Sequence, residues 1–130
     1  MRSDLTFACD GATLAATIDR ASGTTGLLIV TGGRQTRIGP HRLMAELGRT
    51  LSASGIPVLR FDRRGVGDSE GTDPGWRGSR PDIAAATAAF RAACPQLERV
   101  WGLGLCDAAT ALAIHGPAVG LDGLILLNPW

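Results

Sequence analysis

The strongest constraint on how this chain can fold is a series of apolar runs that end on glycine-rich or charged loops and alternate with segments of helical spacing. Gly26-Leu27-Leu28-Ile29-Val30 has no polar residue and stops at Thr31-Gly32-Gly33. Unbroken apolarity of this length marks a strand covered on both faces, as in a parallel sheet. Ile56–Phe61, Arg99–Gly104 and Leu121–Leu127 read as further strands. Between them, His41–Ser54 places Leu43, Met44, Leu47 and Leu51 at helical intervals, and Asp82–Ala93 and Asp107–His115 are rich in alanine. Gly55, Cys94-Pro95 and Gly116-Pro117 stop these three segments. At the front, Leu5–Cys9 and Ala12–Ile18 alternate apolar and polar around Asp10-Gly11, which predicts an antiparallel hairpin.

The order β-β-β-α-β-α-β-α-β predicts an α/β fold. Its mostly parallel sheet begins with the antiparallel hairpin and carries helices on both faces. In such sheets ligands gather at the carboxyl ends of the strands. Chemistry is therefore expected in the loops that start at Thr31, Asp62, Leu105 and Asn128.

Composition narrows the function. The 130 residues include 13 Lys+Arg against 12 Asp+Glu, with no basic run, which argues against a nucleic-acid partner. No apolar stretch approaches the ~20 residues of a membrane span. The opening MRSDLTFACDG lacks the apolar core of a signal peptide, so the expected compartment is the cytoplasm. Cys9, Cys94 and Cys106 lack CxxC spacing, and His41 and His115 are scattered, so neither a disulfide framework nor a metal site is expected. No cofactor is implied. Length alone fits one domain, 1–130. The finish Leu124-Ile125-Leu126-Leu127-Asn128-Pro129-Trp130 reads as a strand and a break, which suggests that the sheet continues beyond it.

Gly104-Leu105-Cys106-Asp107-Ala108 lies between a strand and a helix with the spacing of G-x-S-x-G, cysteine replacing serine and alanine the last glycine. A nucleophile on so tight a turn needs small neighbours two residues away on either side, and Gly104 and Ala108 provide them. The helix N-terminus favours a thiolate at Cys106, and the Asp107 backbone N–H points at the same spot, where it can hold an oxyanion. The rival reading is a small buried cysteine in an ordinary βα turn. A dinucleotide loop beginning at Gly102-Leu103-Gly104 fails, because its third small position falls on Asp107.

Two other loops support the elbow. Thr31-Gly32-Gly33-Arg34 exposes backbone N–H groups, and the second oxyanion donor would be that of Gly33 or Arg34. His41 opens the following helix at the correct sheet edge and is a candidate substrate-binding residue; Arg34 and Arg37 can also line the pocket. His115 lies at the far end of its helix, roughly 13 Å from Cys106. Asp62-Arg63-Arg64-Gly65-Val66-Gly67-Asp68-Ser69 lacks the Gly-Lys-[Ser/Thr] of a phosphate loop. It reads as structural, with Asp62 and Arg63 satisfying the backbone of neighbouring loops.

Taken together, the hairpin, TGG, FDRRGVGDSEG, GLCDA and LLNPW resemble the α/β-hydrolase superfamily, of which FDxRGxGxS is a signature. GLCDAA with FDRRGVGDSEG is most similar to the exosortase A system-associated hydrolase 1 family, bacterial proteins of exopolysaccharide and exosortase loci. The resemblance covers the whole chain but about the first half of such a protein. It implies a hydrolase-fold sheet cut after its sixth strand, with the acid and histidine of the triad beyond residue 130. It also implies an ester or thioester hydrolase with Cys106 as nucleophile, small-molecule substrates and little activity from this portion alone. Dienelactone hydrolases also carry cysteine at the elbow. The alternatives are a non-catalytic binding or scaffolding relative, and an acyltransferase.

Overall fold

The computed structural model describes residues 1–129. Six strands form one sheet: β1 (Arg2–Cys9), β2 (Ala12–Asp19), β3 (Thr25–Val30), β4 (Val58–Phe61), β5 (Arg99–Leu105) and β6 (Gly123–Leu127). Their spatial order is β1-β2-β4-β3-β5-β6. The pairs β1/β2 and β2/β4 are antiparallel, and the remainder are parallel. Three helices connect them: α1 (Leu43–Ala53), α2 (Arg80–Ala93) and α3 (Asp107–His115). The mostly parallel α/β sheet led by a hairpin is thus present. The hairpin turns as Asp10-Gly11 demands, with φ of 46° and 79° and Cys9 facing Ala12.

The apolar run of β3 is explained by what covers it. Leu28 and Val30, with Leu59 and Phe61 of β4, face Ile83 and Phe90 of α2 and Leu112 of α3. Leu27 and Ile29, with Val58 and Leu103, face Met44 of α1. Successive strand residues point to opposite faces, so helices on both sides require apolar residues at every position.

Several boundaries differ from the sequence expectation, among them β1, which starts at Arg2 rather than Leu5, and α2, which starts at Arg80 rather than Asp82. The helix expected from His41 begins at Leu43, because His41 and Arg42 take φ of 51° and 62° in a 3₁₀ turn, Pro40–Arg42. Strand β4 begins at Val58 rather than Ile56; Pro57 has no N–H for the ladder, and its carbonyl instead accepts from Leu27 N–H at 2.9 Å. The last strand likewise starts at Gly123 instead of Leu121. Asp122 ties the chain to Val100 just before it, donating its N–H at 2.8 Å and accepting Val100 N–H on its carboxylate at 2.8 Å. Of the LLNPW run, Trp130 lies outside the described residues. No helix among the described residues is long and apolar enough to cross a membrane.

Strand β3 connects to β4 on one side, whereas β4 leads across β3 to β5 on the other. The strand order therefore reverses between β3 and β5, and a crevice opens at their carboxyl ends.

Candidate active site

That crevice is a cleft of about 450 Å³, lined by residues 32–35 after β3 and residues 105–107 at the end of β5 and the start of α3. Val30 pairs with Gly104 in the sheet, which brings the two loops side by side.

Cys106 sits between the last residue of β5 and the first of α3 with φ 58° and ψ −123°. A non-glycine residue in this region is strained and persists only where its surroundings hold it. Those surroundings are small and close. A Cβ on Gly104 would lie 2.8 Å from the Ala108 carbonyl carbon and 2.8 Å from the Ala109 nitrogen. A Cβ on Gly32 would strike the Asp107 carboxylate and lie 2.6 Å from the Leu105 carbonyl oxygen. The Cys106 N–H donates to the Leu127 carbonyl at 2.9 Å, and the Cys106 carbonyl accepts from Thr110 N–H at 3.2 Å. The turn is thus pinned to β6 and to α3 while the side chain stays exposed. Cys9 and Cys94 are buried free thiols, and desolvation raises the pKa of each. Cys106 is the accessible one, which removes the reading of a buried turn cysteine.

The loop after β3 carries an interaction not foreseen from sequence. Gly33 N–H donates to the Asp107 carboxylate at 2.7 Å. The Gly33 carbonyl accepts from the buried guanidinium of Arg63. Both polar groups of Gly33 are therefore occupied, whereas Arg34 lines the cleft and its N–H has no protein acceptor among the described residues. Of the two residues left open, Arg34 has the free donor. The Asp107 N–H opens α3 and has no intrahelical acceptor.

Other sequence candidates lie elsewhere. His41 is exposed on its 3₁₀ turn and does not line the cleft. Arg37 does not line it either. Its guanidinium meets Asp62 at 2.5 Å and Asp68 at 3.1 Å, and its Nε donates to Thr17 at 2.9 Å. His115 Nε2 lies 3.2 Å from the Arg77 carbonyl oxygen, at the far end of α3.

The charged loop after β4 is structural, as its composition suggested. Fully buried Asp62 accepts from Arg37 N–H at 2.7 Å and Asp68 N–H at 3.0 Å. Arg64 forks onto buried Asp82, with Nε and a terminal nitrogen at 2.9 and 2.7 Å from one oxygen. The Arg64–Asp82 pair was invisible in the sequence: the two residues belong to different elements, and only the docking of α2 joins them.

Comparison with known proteins places the architecture. No protein-family model matches the sequence, and no curated protein matches it. Solved structures do. The esterase Pf2001 of Pyrococcus furiosus superposes with a TM-score of 0.86 at 19% identity, over 99% of this chain and 52% of that one. The α/β hydrolase GrgF of Penicillium sp. sh18 gives 0.79 at 23% identity, over 99% of this chain and 46% of that one. XC6422 of Xanthomonas campestris, an α/β serine hydrolase without a lid, gives 0.77 at 22% identity, over 96% and 60%. The chain has the α/β-hydrolase fold, and it spans about half the length of these structures.

Proposed function

We propose that this chain carries the nucleophile half of an α/β hydrolase acting on carboxylic esters or thioesters. The observation that supports it best is the strained, exposed Cys106 at the strand-to-helix turn, which lines one cleft together with Arg34 and Asp107. In this reading the Cys106 thiolate attacks the substrate carbonyl carbon. A C–S bond forms, and the carbonyl electrons move onto oxygen, where the two N–H groups hold the charge. Collapse expels the alcohol or thiol, which takes up the proton lost by Cys106, and leaves an acylated cysteine. Water then releases the acid.

Both histidines lie away from Cys106. Deprotonation here therefore relies on solvent base, and the chain alone is expected to acylate with little turnover. The narrower link to bacterial exosortase A systems rests on GLCDAA and FDRRGVGDSEG. Acyl transfer to an acceptor other than water uses the same first step.

The test is incubation with an activated thioester followed by mass spectrometry of the peptides. Acyl on Cys106 is the expected result. Acyl on Cys94, or on no cysteine, overturns the assignment. One observation favours a second reading, a non-catalytic binding domain: the elbow carries Cys106 where G-x-S-x-G has its serine. Binding of an ester to the cleft without acylation would select that reading.

A further inference from the structure

We propose that Arg63 is the positioning residue of the oxyanion pocket, turning the Gly33–Arg34 peptide so that the Arg34 N–H faces the cleft; this rests on the hydrolase reading above. Arg63 follows β4 and is 3% exposed. One terminal nitrogen donates to the Gly33 carbonyl, and the other lies 3.5 Å from the Asp73 carboxylate. Its Nε is buried without a partner. Burying a guanidinium with an unmet N–H is unfavourable, so packing alone does not account for the group.

What the guanidinium does follows from the peptide it holds. The chain has no cis peptide bond among the described residues, and in a trans peptide the C=O and the next N–H point in opposite directions. With the Gly33 carbonyl drawn to Arg63, the Arg34 N–H points away from it. Gly33 has φ of +56°, and a Cβ there would meet nothing within 4 Å. A flip would rotate Gly33 ψ, which glycine accepts, and would carry Arg34, now outside the positive-φ region, toward it, which its Cβ opposes. The Gly32 carbonyl, which accepts Gln35 N–H at 3.1 Å, also favours the present turn without bonding this peptide itself. A flip would replace the N–H donor in the cleft by a carbonyl oxygen, which repels an oxyanion. Asp107 holds the Gly33 N–H but not the following peptide plane. Arg63 is the side chain that bonds this peptide's carbonyl and so adds to the turn's own preference for that plane.

Two reactions of the same thiol separate this role from general folding. Acylation of Cys106 by an activated thioester needs the oxyanion donors, whereas alkylation by iodoacetamide forms no oxyanion. In Arg63→Met, acylation is expected to fall at least about tenfold, since losing one oxyanion donor outright costs on the order of 10²–10³. Alkylation is expected to stay within about twofold of wild type, and Arg63→Lys, which retains a donor for the carbonyl, recovers part of the loss. Acylation of Arg63→Met at the wild-type rate overturns the proposal. Equal losses in both reactions in Arg63→Lys overturn it as well and leave a structural role.

A second readout needs no chemistry. The Gly33 carbonyl carbon and Arg34 amide resonances are expected to shift in Arg63→Lys, which serves if the methionine variant does not fold. Unchanged resonances count against the proposal. Should wild-type Cys106 acylate no faster than the denatured chain, the hydrolase reading fails, while these resonances still report whether Arg63 sets the peptide.

Discussion

The Gly33 backbone N–H and the Asp107 carboxylate meet at 2.7 Å across the mouth of the cleft, joining the loop after β3 to the first turn of α3. Sequence reading places both residues at the oxyanion site through their backbones. The structure adds a side-chain role for one of them. Asp107→Ala removes the tether while keeping the helix. The variant is expected to lose about 1 kcal/mol in urea denaturation, the usual scale of one intramolecular hydrogen bond, this one lying at the solvent-exposed surface. Hydrogen exchange at the Gly33 amide should accelerate, and exchange at the wild-type rate would show that the bond does not hold the loop.

Strain at Cys106 gives a prediction of opposite sign. With φ 58° and ψ −123°, the residue occupies a conformation that glycine tolerates and cysteine does not. Cys106→Gly is therefore expected to unfold at higher denaturant, by about 1 kcal/mol, while losing all acylation at this position. Cys106→Ala keeps the strain and should match wild type in stability. A glycine variant less stable than the alanine variant would mean that the turn is unstrained.

Gly104 tests the closeness of the elbow. An added methyl would lie 2.8 Å from the backbone of Ala108 and of Ala109, as well as 2.8 Å from Leu112 Cδ1. Backbone cannot yield as a flexible side chain can, so Gly104→Ala is expected to cost about 1–3 kcal/mol. Equilibrium denaturation measures the loss, and iodoacetamide labelling of Cys106 reads whether the elbow moves with it.

Asp62 is buried and its bonds converge from Arg37 and the loop after β4. Asp62→Ala strands the Arg37 guanidinium without its buried partner. A loss of about 3–5 kcal/mol is expected, enough to unfold much of the population in a thermal melt. Acylation of whatever remains folded should be close to wild type, because Arg37 does not line the cleft.

The two buried thiols predict an alkaline limit. Desolvation raises the pKa of Cys9 and Cys94 above 9.0 in the folded chain. Above about pH 9 the unfolded chain releases these protons first, so it binds fewer than the native state, and stability falls as pH rises. Denaturation midpoints from pH 8 to 10.5 should decline less steeply in Cys9→Ala/Cys94→Ala than in wild type. Parallel slopes would assign the decline to other groups.

Local pattern carried most of the architecture. The apolar run at Gly26–Val30 could only be covered on both faces, Asp10-Gly11 could only turn a hairpin, and Gly104 with Ala108 around Cys106 left room for an elbow. These features depend on residues near one another in the chain, where periodicity and backbone preference act directly. Helix α3 emerged with the expected bounds for that reason. Where positive φ values at His41 and Arg42 interrupted the pattern, periodicity misplaced the start of α1 by two residues.

What tertiary structure alone decided is which polar groups meet. The bonds from Gly33 to Asp107 and from Arg63 to Gly33 span 74 and 30 residues, and Arg37 meets Asp62 rather than the cleft. Such pairs form because the strand order sets β3 between β4 and β5, which brings three distant loops to one edge of the sheet. A sequence states that these loops are polar and flexible. Only the folded sheet determines that both backbone groups of Gly33 are bonded, to Asp107 and to Arg63, while the next N–H, that of Arg34, has no acceptor among the described residues.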